Sequence, residues 1–155
     1  MKIINFSDLS QGQKCFIWNI YLNTKFNQTL SFAIVNDVDD VVGFALLNEK
    51  SIDESISLHM PFNTKRYACE IVRIYEIDLY KSKEPSLFNR ISKEIILRIL
   101  QWKDEKKGRF CYYWGLFYDN VSIEPYANAL DCSIIKFVEG ADTVRYVIYK
   151  ELSSD

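Results

Sequence analysis

Residues 68–118 carry two hydrophobic periods in succession, and this succession restricts the fold more than any other feature of the chain. "ACEIVRIYEIDLY" (68–80) alternates as a strand does, with Ile71, Tyr75, Ile77 and Leu79 on one face and Glu70, Glu76 and Asp78 on the other. After the polar turn "KSKEPS", the segment "LFNRISKEIILRILQWKDEKKG" (87–108) changes to helical spacing. It sets Phe88, Ile91, Ile95, Ile99 and Trp102 three and four residues apart, and Gly108 marks its stop. "RFCYYWGLFY" (109–118) then returns to a near-continuous apolar strand. Strand, long helix and strand in immediate sequence belong to architectures in which helices pack on a sheet.

The remaining segments extend that pattern. A short strand at "KIINF" precedes Ser10 and Gln13, whose spacing predicts a capping box, and the helix that follows, "QKCFIWNIYL", carries Phe16, Ile17, Ile20 and Tyr21 at helical spacing. "LSFAIVND" and "VVGFALLNE" form a hairpin about the turn "VDD". Residues 50–66, with Pro61, read as loop or short helix. "NVSIEPYANAL" reads as a short helix, and "SIIKFVEG" and "TVRYVIYKEL" as a closing pair of strands joined at "GADT". The expected order is β-α-β-β-β-α-β-α-β-β. This is an α/β fold of the α+β type, with a central mixed, mostly antiparallel sheet of about six to seven strands flanked by helices in one domain over residues 1–155. "TVRYVIYKEL" is expected at a sheet edge, where it can pair with another subunit, so the chain is a monomer or a homodimer.

Composition narrows the partners. Nineteen basic and 21 acidic residues leave a net charge of -2, too little positive field to grip a phosphate backbone, so nucleic acid is not expected as a partner. Nor does any run approach the roughly 18 apolar residues of a membrane span. Cys15, Cys69, Cys111 and Cys132 are scattered without a C-x-x-C pair, and His59 is the single histidine, so no metal site is expected. Each cysteine stands among apolar or aromatic neighbours and reads as a buried, reduced thiol of a cytoplasmic protein.

With strand, short helix and hairpin at its end, the order resembles the GNAT superfamily of acyl-CoA-dependent N-acyltransferases. The family's fifth strand and following helix often read W-L-G-V-x-x-x-N-x-x-A-x-x-F-Y-x-x-x-G-F. In "YYWGLFYDNVSIEPYANALDC", Gly115, Leu116 and Asn120 fall on the G, V and N, Ile123 on the A, and Tyr126 on the F. Ala127 stands where the family's frequent catalytic tyrosine falls, and Asp131 with Cys132 replaces the G-F. "VVGFALL" and "EIVRIYEIDLY" look like the third and fourth strands. The resemblance covers nearly the whole chain as a succession of elements, but only these stretches as sequence.

It implies acetyl-CoA as co-substrate and a small-molecule or peptide amine as acceptor. The family's phosphate loop, R/Q-x-x-G-x-G/A, lies between the fourth strand and the long helix, where glycine backbone and a helix N-terminus close on pyrophosphate. This chain has no glycine between Gly43 and Gly108. The equivalent is "SLFNRIS", with Leu87, Arg90 and Ser92 at the motif positions and Phe88, Asn89 and Ile91 between them, and Arg90 and Lys83 offer charge to phosphates.

Direct acyl transfer needs a base for the ammonium, donors for an oxyanion and an acid for the leaving thiolate. By position the resemblance takes the donors from the amides of Ile77, Asp78 and Leu79. Glu76 and Asp78 are the carboxylates placed for a general base, with Glu70 behind them; as charges on a polar strand face they also read as solvated. Tyr126 reads as general acid if Pro125 resets the helix start, and otherwise as packing, with Tyr118 a weaker substitute. Asn120 either caps the following helix or contacts pantetheine. The missing glycines and displaced tyrosine leave a second reading open, a catalytically inactive GNAT-fold protein that binds a ligand or protein partner in its cleft.

Overall fold

The computed structural model describes residues 1–22, 25–50, 67–77, 85–105, 110–117, 123–139 and 143–152. Over these the chain is a mixed α+β protein with antiparallel strands and three α-helices. In chain order the elements are β1 (Lys2–Asn5), a 3-10 turn (Phe6–Asp8), α1 (Gln11–Ile20), β2 (Phe32–Val35), β3 (Val41–Lys50), β4 (Tyr67–Glu76), α2 (Pro85–Glu105), β5 (Phe110–Phe117), α3 (Ile123–Ala129), β6 (Ser133–Glu139) and β7 (Thr143–Glu151). The expected loop over 50–66 lies almost wholly outside the described residues. Two compact units emerge, residues 1–48 with 71–95, and residues 49–70 with 96–155.

In the first unit β1 and β2 pair antiparallel in the register Ile3↔Ile34, and β2 pairs with β3 as Phe32↔Ala45, with an irregularity at Ile34 and Val35. The β2–β3 turn is held by Asn36, whose side-chain oxygen accepts from the amides of Val38 and Asp40. Asp39 takes φ 64° there, a left-handed conformation that Asp tolerates better than most residues. The predicted capping box starts α1 as expected. Ser10 Oγ accepts from the Gln13 amide at 3.2 Å, and Gln13 Oε1 accepts from the Ser10 amide at 2.9 Å.

Ile17 of α1 joins Phe6, Leu9, Phe26, Ala33, Val35, Phe44 and Leu46 in one buried cluster, with Tyr75 of β4 stacked on Phe44 at 5.2 Å. Each large apolar side chain buried here stabilises by roughly 1.5–3 kcal/mol. Phe16 was expected on that face but is half exposed, because Ile17 sets the inward direction and a neighbour on a helix points about 100° away.

The opposite face of the same strands meets α2. A Cβ built on Gly43 lies 2.9 Å from Ile91 Cδ1 and 3.1 Å from the Tyr75 carbonyl oxygen, so this glycine lets the helix come close to the sheet. Leu87, Ile91 and Ile95 are fully buried, as the helical spacing predicts for the latter two.

The second unit orders its strands β5-β7-β6. β5 pairs antiparallel with β7 as Gly115↔Ile148, and β6 with β7 as Ile135↔Val147. The strand "TVRYVIYKEL" is therefore not at the edge as expected. β7 lies between two partners, with Val147 and Ile148 both fully buried, and β6 takes the outer position. The reason is non-local: the β6–β7 hairpin docks on β5 through its second strand.

Helix α3 packs on β6 and β7. It ends in a Schellman motif, in which the Cys132 amide donates to Ala127 O at 2.7 Å and the Asp131 amide to Asn128 O at 3.2 Å. Asp131 sits at the left-handed position with φ 53° and pairs with Lys150. That position favours glycine, and it coincides with the Gly of the family pattern.

Candidate functional site

The end of β4 and the start of α2 belong to the same unit and carry most of the described candidate residues. Glu76 was read as part of a polar strand face, yet it is 6% exposed. α1 covers one face of this part of the sheet and α2 the other, so a carboxylate on either side is withdrawn from water. Ile77 follows, half-buried, and its amide donates to Val42 O at 3.0 Å. That donor, one of three expected at an oxyanion, is engaged with β3. Asp78, Leu79 and Lys83 lie outside the described residues.

The segment "SLFNRIS" is helical throughout, as the spacing over 87–108 predicts, and is not the phosphate loop that the resemblance implies. α2 begins at Pro85, a residue suited to a first helical position because its missing N–H has no intrahelical acceptor in any case. Leu87 and Ile91 are core side chains. Ser92 is 2% exposed and its hydroxyl donates to Phe88 O at 3.0 Å, within the helix. Phe88 is half-buried, and Asn89 and Arg90 are exposed. Arg90 donates to the Met1 carbonyl oxygen at 3.0 Å. What this end carries toward an anionic group is the positive end of a 21-residue helix together with the Arg90 charge. These suit a phosphate in kind, although the glycine-lined backbone of the family pattern is absent.

Tyr126 belongs to the other unit. α3 starts at Ile123, two residues before Pro125, so the proline does not mark its beginning. Ile123 and Ala127 face inward at 3% and 2% exposure, and Tyr126, one position earlier, is half-buried. Asn120, Tyr118 and His59 lie outside the described residues. Among the described residues no group of acidic, histidine or cysteine side chains is placed to hold a metal ion.

The cysteines differ among themselves. Cys69 is fully buried, Cys132 half-buried and Cys15 exposed, which corrects the expectation for Cys15: it lies on α1 away from Ile17. Burial pushes the Cys69 thiol well above its ordinary range, and the carboxylates of Glu49 and Glu70 push the same way. Glu49 is fixed by the Trp102 indole N–H, which donates to it at 3.1 Å.

Sequence reasoning did not single out a cleft of about 460 Å³ lined by Ser10, Gly12, Gln13, Phe16, Asp39, Asp40, Val41 and Ile77. Gln13 Nε2 ties its two sides together by donating to Asp39 O at 2.9 Å. The signal was there in part, since "VDD" was read as a turn, but a turn alone does not say what it packs beside.

No protein-family model matches this sequence, and no curated protein matches it significantly. Solved structures match in fold. The chain is similar to the NatB acetyltransferase complex bound to CoA and MES, at 15% identity and a TM-score of 0.64 over 99% of this chain and 100% of that one. It is similar to Arabidopsis thaliana NAA60 in complex with acetyl-CoA, at 12% identity and a TM-score of 0.58 over 97% and 100%. A third is the NatC complex bound to Gag peptide and CoA, at 11% identity and a TM-score of 0.55 over 99% and 100%. Such identities speak for the fold alone, which the chain shares with these acetyltransferase structures.

Proposed function

We propose that this protein is an N-acyltransferase that moves an acetyl or other acyl group from acetyl-CoA directly to an amine, either a small molecule or a peptide. The observation that carries the proposal is the likeness in fold, over nearly the whole chain, to acetyltransferases crystallised with CoA or acetyl-CoA. Acetyl-CoA supplies the acyl group as an activated thioester. Glu76, withdrawn from bulk water at the end of β4, is proposed as general base at the amine nitrogen, and Asp78 is the other carboxylate proposed. Tyr126 is proposed to hold the proton for the leaving sulfur at its phenolic oxygen.

With the Ile77 amide bound to Val42, the amides of Asp78 and Leu79 are the proposed oxyanion donors. The first turn of α2 and Arg90 are proposed to hold the phosphates. Leu87, Phe88, Asn89, Ile91 and Ser92 contribute by fixing that turn, and Asn120 by capping α3 or reaching the pantetheine arm. The protein is further proposed to act as one cytoplasmic domain, monomeric or homodimeric, without nucleic acid. Among the described residues no helix is long and apolar enough to cross a membrane.

A second reading is favoured by Arg90, whose guanidinium donates to the chain's own Met1 carbonyl. In it the fold is kept without transfer, and the cleft binds another ligand or a protein partner. Turnover separates the two. Purified protein is incubated with acetyl-CoA and panels of peptides with free N-termini and small amines, and thiol release is followed alongside the acetyl mass added to the acceptor. The transferase reading expects turnover that falls at least about 100-fold in Glu76→Gln, the scale on which a positioned general base acts, with the melting profile retained. Absence of acetylated product from every amine, with acetyl-CoA bound, favours the second reading.

A further inference from the structure

We draw no further inference here: the strongest candidate, the cleft between the first turn of α1 and the β2–β3 hairpin where Asp39 and Asp40 stand near Phe16, rests on an acidic pair at an exposed turn, and nothing in the structure shows what would occupy it.

Discussion

Replacing Gly43 by alanine tests how closely α2 is seated on the sheet. The added methyl lies 2.9 Å from Ile91 Cδ1 and 3.1 Å from the Tyr75 carbonyl oxygen, where ordinary contact begins near 3.4 Å. The carbonyl belongs to a paired strand. Ile91 is fully buried, so its terminal methyl has nowhere open to turn. Overpacking of this kind costs roughly 1–3 kcal/mol, and alanine recovers about 0.5–1 kcal/mol of the backbone entropy that glycine loses on folding. The net expectation is a loss of about 1–2 kcal/mol, or roughly 2–8 °C in Tm for a domain of this size. The source of the strain is checked by a double-mutant cycle with Ile91→Val, which removes Cδ1 and alone costs about 0.5–1.5 kcal/mol. Urea unfolding of the four proteins should show Gly43→Ala costing clearly less when combined with Ile91→Val than in the parent chain, a coupling above about 0.5 kcal/mol. Additive effects, or a Gly43→Ala variant more stable than the parent, would refute the close approach.

Two further predictions concern the second unit. Because folding raises the Cys69 pKa, the thiol stays protonated in the native state while the unfolded chain ionises above its ordinary value of 9.0. Stability is therefore fully present below that pH and declines above it, by up to about 1.4 kcal/mol per pH unit for one proton. Unfolding curves between pH 8 and 11 should show a shallower decline in Cys69→Ala, and an unchanged slope would remove the thiol from the account. At the end of α3, Asp131→Gly should raise stability by up to about 1 kcal/mol. It relieves the left-handed conformation and loses only a surface ion pair with Lys150, which contributes little. A lower Tm for this variant would mean that the Asp131–Lys150 pair outweighs the backbone cost.

How much was legible depended on whether a feature was local. α2 and β4 could be read because each holds its period over many residues, and the α1 capping box because Ser10 and Gln13 interact three residues apart. The start of α2 was misjudged because "KSKEPS" is polar, while Pro85 is also a good first helical residue. Glu76 reads from the sequence either as a general base or as a solvated charge, because strand alternation reports two faces without saying which are covered, and coverage comes from the packing of α1 and α2 on the sheet. β7 was placed at the edge for the same reason: hairpin partners can be read in sequence, but the strand that the hairpin docks on cannot. For the site, only the resemblance linked Glu76, Arg90 and Tyr126. The core role of Ile91 is legible in the helical spacing of 87–108, and Leu87, four residues before it, shares its face.

The central claim is that this fold binds acetyl-CoA, and a thermal-shift and calorimetric titration with acetyl-CoA, with free CoA alongside, tests it most directly. Ligand at 100 times its Kd stabilises by about 2.7 kcal/mol, a rise of roughly 5–11 °C in Tm. The account predicts a saturable shift of that size for the parent chain, weakened in Arg90→Glu. An unchanged Tm and no heat of binding at millimolar acetyl-CoA would contradict it.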